Sequence, residues 1–294
     1  MTVSDLISQP LETIVDEIGG IYEHSPWVVE TLFLKKETSK ITTVSELAAG
    51  LKLIVNGASD DKKLKLLQAH PDLCEKVEAM KLLTVESQEE QSKSGLQSMK
   101  GEELDKFKSM NESYRAKFNF PFVLAVRNAS KSTVLSALEG RLKNSSSQQE
   151  FMVALDQVHN IAWMRLLSKV NTDDAAGFLT CHVLDTASGI PAKKMKIVLT
   201  RLTPNESAGI IGEFVTNDDG RIEGGPALKG KDFIVGTYEW TFYAGDYFAS
   251  RGQSMNGTPF LDIIPLRFGI DNPDDHYHVP LLVSPWGFST YRGS

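Results

Sequence analysis

Two histidines and an arginine interrupt runs otherwise suited to strands: His182 in Leu-Thr-Cys-His-Val-Leu-Asp, His278 in His-Tyr-His-Val-Pro-Leu-Leu, and Arg221 in Asp-Asp-Gly-Arg. The polar stretch Tyr291-Arg292-Gly-Ser294 joins them in the same half. An imidazole gains or loses a proton near neutral pH, and a guanidinium is a permanent cation with fixed donors, so the set is equipped for proton transfer beside a fixed positive charge. A core histidine satisfied by backbone is the plain reading of either imidazole alone. Two of them with an arginine favour a site. His276 shares a strand face with His278 if the strand begins there, but a solvated loop residue is the simpler reading.

The first half offers a second polar set. His70-Pro71-Asp72 breaks an otherwise regular helix, and Ser87-Gln88-Glu89-Glu90-Gln91 follows. Ser87 and Glu90 stand three apart, which is also the spacing of a helix capping box with solvated charges. The apolar run Phe122-Val123-Leu124-Ala125-Val126 ends on Arg127, which reads as a surface charge.

These residues sit on two kinds of element. Up to about residue 168 apolar side chains recur every three or four positions, as in Leu6, Leu11, Ile14, Val15 and Ile18, which predicts amphipathic helices. Thr43 three residues before Glu46 predicts a helix start, and Asn56-Gly57 its end; Pro71 and Pro121 mark further stops. From Phe178 the runs become short, β-branched and aromatic: Met195 to Leu202, Phe233 to Phe242, Leu261 to Phe268 and Val279 to Val283. Asn217-Asp-Asp-Gly220, Ala244-Gly-Asp246 and Asn272-Pro-Asp-Asp275 read as turns between antiparallel strands of a sandwich. The expected organisation is an all-helical domain over 1–168, a linker over 169–177 and an all-β domain over 178–294.

A chain of 294 residues with 41% apolar content can build two cores. Its net charge of −7 arises from scattered acidic and basic residues, with no basic stripe to suggest nucleic acid. Cys74 and Cys181 lie far apart and outside metal-binding spacings, so neither a disulfide framework nor a metal site is expected. The sequence contains no apolar run of signal-peptide or membrane-span length and no recognised peroxisomal signal, so a cytosolic protein acting on small soluble molecules is expected.

Residues 178–294, with His182-Val-Leu-Asp185, Gly220-Arg221 and the closing Tyr-Arg-Gly-Ser, resemble the 5-hydroxyisourate hydrolases, enzymatic relatives of transthyretin. The resemblance implies a transthyretin-like sandwich and a homotetramer with His182, Arg221, His278, Tyr291, Arg292 and Ser294 around the substrate. Either histidine then serves as general base for water attacking a ring carbonyl, with Arg221 meeting the oxygen that becomes anionic. A hormone carrier of the same fold is the rival reading.

Residues 8–168 resemble the 2-oxo-4-hydroxy-4-carboxy-5-ureidoimidazoline (OHCU) decarboxylases, small helical enzymes, through His70-Pro71, Ser87 to Gln91 and Phe118-Asn-Phe-Pro-Phe-Val-Leu-Ala-Val. That implies His70 and Glu90 as catalytic groups, with Pro71, Ser87, Gln88, Glu89, Gln91, Phe122, Val123, Leu124, Ala125, Val126 and Arg165 lining the substrate. Trp163 departs from the family's usual residue, while the spacing of His159 and Arg165 is kept. No cofactor is implied, because electrons released as carbon dioxide leaves spread into the adjoining unsaturated ring. Pairing of the helical domains as dimers is a further expectation. The product of the first family is the substrate of the second.

Overall fold

Thr43 accepts a hydrogen bond from the Glu46 N–H (3.2 Å) while its own N–H donates to the Glu46 carboxylate (3.1 Å), so helix α4 (Val44–Asn56) begins at the capping box legible in the sequence. The computed structural model describes residues 1–35, 38–73, 99–125, 130–253 and 257–293. They fall into two compact units, Met1–Asn171 and Thr172–Ser294.

The first unit is helical. Besides α4 it contains α1 (Val3–Ile7), α2 (Leu11–Ile18), α3 (Trp27–Phe33), α5 (Asp60–Gln68), α6 (Glu102–Phe118), α7 (Lys131–Asn144) and α8 (Ser147–Lys169). The stops follow local chemistry. Helix α5 ends just before His70-Pro71, since the ring of a proline disfavours helical backbone in the residue before it. Helix α6 ends where Asn119 takes a left-handed conformation (φ 65°), ahead of Pro121. Helix α8 buries Ala154, Leu155, Val158, Ile161, Ala162 and Leu166, a stripe at helical spacing that packs against α2, α4, α5 and α6. Each large aliphatic side chain so buried contributes about 1.5–3 kcal/mol. Among the described residues no helix is long and apolar enough to cross a membrane.

The second unit is β-rich, with the transthyretin-like organisation expected. Its strands are β1 (Phe178–Thr180), β2 (Val183–Asp185), β3 (Ile190–Pro191), β4 (Lys196–Arg201), β5 (Gly209–Val215), β6 (Leu228–Lys229), β7 (Gly236–Tyr243), β8 (Ile263–Ile270), β9 (His276–His278), β10 (Leu281–Ser284) and β11 (Gly287–Ser289). They form sheets ordered β5-β4-β7-β8, β11-β10-β2-β3 and β6-β1-β9. Strand β7 turns Tyr238, Trp240 and Phe242 into the core at a period of two.

Three expectations need correcting. The pairing is not wholly antiparallel, because β1 runs parallel to β9 and β2 parallel to β10. Ala244-Gly-Asp246 is no turn but the start of helix α9 (Ala244–Ser250): Ala244, Tyr247 and Phe248 share a buried face, and Asp246 lies in the positive first turn. His276 lies in strand β9 rather than in a loop, its ring stacked on Phe178 at 4.2 Å.

Candidate active sites

In the β unit, register brings the polar set together. Pairing of β1 with β9 places Thr180 opposite His278, and single bridges join His182 to Arg221 and His278 to Gly293. Arg221 is delivered by the turn at Asn217. The Asn217 Oδ1 accepts from the N–H groups of Asp219 and Arg221 (3.0 Å each), and Gly220 adopts φ 74° with no room for a Cβ, which would fall 2.3 Å from the Val183 oxygen. The rings of His182 and His278 lie 6.4 Å apart.

Both rings are held below the ordinary histidine range. Burial is the main cause, followed by the Arg221 charge; for His182 a backbone hydrogen bond to Asp219 and that carboxylate oppose the shift, while for His278 the neighbouring His182 and His276 add to it. Neutral imidazoles at neutral pH can accept a proton. His182 Nε2 is buried with no hydrogen-bond partner among the described residues. Such an atom costs free energy until water or a ligand hydrogen-bonds it.

Sequence reasoning missed Thr180. Its Oγ1 lies 2.8 Å from His278 Nδ1 and 2.8 Å from His276 Nε2. A threonine alternating with apolar residues reads as ordinary strand, and its partners stand almost a hundred residues away.

The chain's last stretch closes this region. Gly293 exchanges backbone hydrogen bonds with His278 (2.8 and 3.3 Å), and a Cβ there would fall 2.8 Å from the His278 ring. Arg292 donates to Asp275 (3.1 Å) and lies over the Tyr277 ring, while Tyr291 is exposed. Ser294 lies outside the described residues.

In the helical unit His70 is buried, and its Nδ1 donates to the Leu66 carbonyl (2.8 Å). The neutral ring therefore carries its lone pair on Nε2. Pro71 is half-buried beside it. Gln68 donates to the Asn119 carbonyl (2.9 Å), tying the end of α5 to the segment that holds Phe122 and its successors. Phe122 and Val123 are buried, Leu124 and Ala125 half-buried. The Phe122 ring faces the core, edge-on to Tyr114, and the Ala125 N–H donates to Gln157 (3.1 Å). Arg165 is buried and ion-paired with Glu23 (2.8 Å), a partner that no motif in the sequence marks. Ser87, Gln88, Glu89, Glu90, Gln91 and Val126 lie outside the described residues.

Near Arg165, His159 accepts from the Tyr22 hydroxyl (3.0 Å) at Nδ1 and donates to Asn56 (3.2 Å) at Nε2; burial pushes its pKa down to about 4. It lines a cleft of about 170 Å³ with Tyr22, Lys52 and Trp163.

Residues 8–167 match the OHCU decarboxylase family, and residues 179–293 match the HIUase/Transthyretin family. The chain belongs to both families. Within the OHCU decarboxylase half it is 40% identical over 162 residues to the 2-oxo-4-hydroxy-4-carboxy-5-ureidoimidazoline decarboxylase of Haloferax volcanii, covering 55% of this chain and 92% of that protein. Within the HIUase/Transthyretin half it is 54% identical over 119 residues to 5-hydroxyisourate hydrolase 2 of Rhizobium meliloti, covering 40% and 98% respectively. A crystal structure of (S)-allantoin synthase spans both families at once, with 60% identity, complete coverage of both chains and a TM-score of 0.89.

Proposed function

We propose that the chain is a bifunctional enzyme of urate degradation that hydrolyses 5-hydroxyisourate to OHCU and decarboxylates OHCU to (S)-allantoin. The observation that carries this reading is the end-to-end similarity to (S)-allantoin synthase at 60% identity. The working division is a decarboxylase over 1–168, a linker over 169–177 and a hydrolase over 178–294.

In the hydrolase His278 is the general base. Thr180 has one hydroxyl proton and touches two imidazole nitrogens, so at most one of the two can accept from it and the other must donate to it. When His278 donates through Nδ1, Thr180 donates on to His276, and His278 Nε2 is left basic. That nitrogen takes a proton from water as the water attacks the ring carbonyl. Arg221 stabilises the oxyanion. Collapse breaks the carbon–nitrogen bond, and the proton passes from His278 to the departing nitrogen. His182 Nε2 hydrogen-bonds the substrate, and Tyr291, Arg292 and Ser294 border the pocket. The hydrolase halves assemble as a homotetramer, a reading supported by exposed apolar side chains such as Ile210, Ile263, Trp286 and Phe288. The decarboxylase domains pair as dimers.

In the decarboxylase His70, with Glu90, moves the proton of the substrate hydroxyl or of the new C–H bond. Arg165, its charge balanced by Glu23, and the backbone from Phe122 to Val126 bound the substrate together with Pro71, Ser87, Gln88, Glu89 and Gln91. Electrons left by the departing carboxylate spread into the adjoining ring, so the work of the protein is positioning and one protonation.

The test is circular dichroism of purified protein supplied with urate and urate oxidase. A stable signal of one allantoin enantiomer establishes the decarboxylation, and loss of 5-hydroxyisourate faster than in the control without protein establishes the hydrolysis; a trace that matches that control throughout rejects the reading in favour of a carrier.

A further inference from the structure

A buried charge network lies behind the Phe122–Ala125 segment, and neither family motif contains it. Arg141, on α7, points its guanidinium three ways. Nη1 donates to the Val123 carbonyl (2.8 Å), Nε donates to Glu150 Oε1 (2.7 Å), and the guanidinium carbon sits 4.6 Å from the centre of the Phe122 ring. Glu150, at the start of α8, is wholly buried, and its Oε1 also accepts from the Tyr114 hydroxyl of α6.

A buried ion pair is a poor way to gain stability, because desolvating two charges offsets most of their attraction, and apolar residues of the same volume often do as well. What such a pair supplies is direction. A guanidinium presents donors in a fixed plane, so satisfying Glu150 leaves one orientation for the donor that meets Val123. The next contact along the segment, from the Ala125 N–H to Gln157 on α8, holds it further along. Gln68, two residues before His70, holds its beginning at Asn119.

We propose that Arg141 is a positioning residue for decarboxylation: oriented by Glu150 and Tyr114, it fixes the Val123 carbonyl and the Phe122 ring so that the Phe122–Ala125 backbone meets the substrate in one conformation. This rests on the decarboxylase reading of the helical half. The network acts on substrate binding and not on the protonation step.

The test separates positioning from stability. In the full chain, Tyr114→Phe, Arg141→Met and Glu150→Leu are made together, removing both charges and the hydroxyl, so that neither charge is left buried without its counter-ion while the Val123 carbonyl loses its Arg141 donor. Stability is followed by thermal unfolding and decarboxylation by steady-state kinetics on freshly generated OHCU. Hydrolysis by the same chain is the internal control. The expected result is a folded protein with unchanged hydrolysis and a KM for decarboxylation raised about tenfold or more, with kcat changed much less. Unchanged KM overturns the proposal, as does a fall in kcat alone, which marks only a loss of active molecules. Should the triple variant fail to fold, Arg141→Lys decides: it keeps the charge opposite Glu150 but has no fork to span Glu150 and Val123, so KM rises if the proposal holds and stays put if it does not. Wild-type protein without any decarboxylation rejects the underlying reading before the variants are considered.

Discussion

Thr180 Oγ1 lies 2.8 Å from His278 Nδ1, and the same oxygen lies 2.8 Å from His276 Nε2, so one hydroxyl bridges two imidazoles and can donate its proton to only one of them. Replacing Thr180 by valine preserves shape and removes the coupling. Thr180→Val is expected to slow 5-hydroxyisourate hydrolysis by about 10-fold to 100-fold, within the range of a mispositioned acid–base group, while Thr180→Ser retains most of it. Initial rates of substrate loss measure this, with decarboxylation by the same sample as reference. Equal rates in wild type and Thr180→Val reject the coupling.

The two halves should fail separately. His70→Ala is expected to abolish decarboxylation and spare hydrolysis, and His182→Ala the reverse. Both activities can be read from one sample by following 5-hydroxyisourate decay and allantoin appearance. Loss of both activities in both single variants contradicts a two-site enzyme.

Hydrolysis should keep its rate well into weak acid. The base must be neutral to act, and burial with the Arg221 charge depresses both His182 and His278, so kcat/KM rises with pH along a limb that lies below the ordinary histidine range and is flat above it. Arg221→Gln removes the repelling cation; its residual activity should show that limb displaced to higher pH. A limb that stays in place denies the electrostatic contribution.

His159 gives the helical unit its own acid sensitivity. The native ring stays neutral down to about 4, whereas the unfolded ring protonates near 6.5, so between those values the unfolded chain binds more protons and stability falls as pH falls. The full difference amounts to roughly 3 kcal/mol, complete below pH 4. Urea unfolding at pH 7 and pH 4.5, followed by helical circular dichroism, should show the loss in wild type and a smaller one in His159→Gln. An equal pH dependence in both proteins assigns the effect elsewhere.

Gly293 offers a probe of the closing stretch. Because a methyl group there would fall 2.8 Å from the His278 ring, Gly293→Ala should displace that ring and lower hydrolysis at least about tenfold, with little effect on decarboxylation. Wild-type hydrolysis in Gly293→Ala means that the contact is not needed.

Much of this fold is written locally. The Thr43–Glu46 box and the stop before Pro71 each depend on a few neighbouring residues, and the structure places them as the sequence indicates. His182, Arg221 and His278 stand out as polar interruptions of strand, and the structure gathers them. Thr180, Arg141 and Glu23 were illegible for one reason: each looks ordinary where it stands, and its meaning lies in a partner that only the folded chain supplies. Strands β1, β2 and β9 have three residues each, too few to show a period, and their pairings are settled by contacts across the whole unit. Helix α9 was lost to a Gly-Asp pair that serves a helix start as readily as a turn.

The parallel pairing of β1 with β9 sets an order of events at the ribosome. Helices built from near neighbours can form as they emerge, so the decarboxylase half can collapse while the rest is still being synthesised. Thr180 must wait for His278, 98 residues later. The newborn chain thus acquires its two activities in the reverse of the order in which the metabolite meets them, and a ribosome stalled in the β unit releases a polypeptide equipped for the second reaction alone.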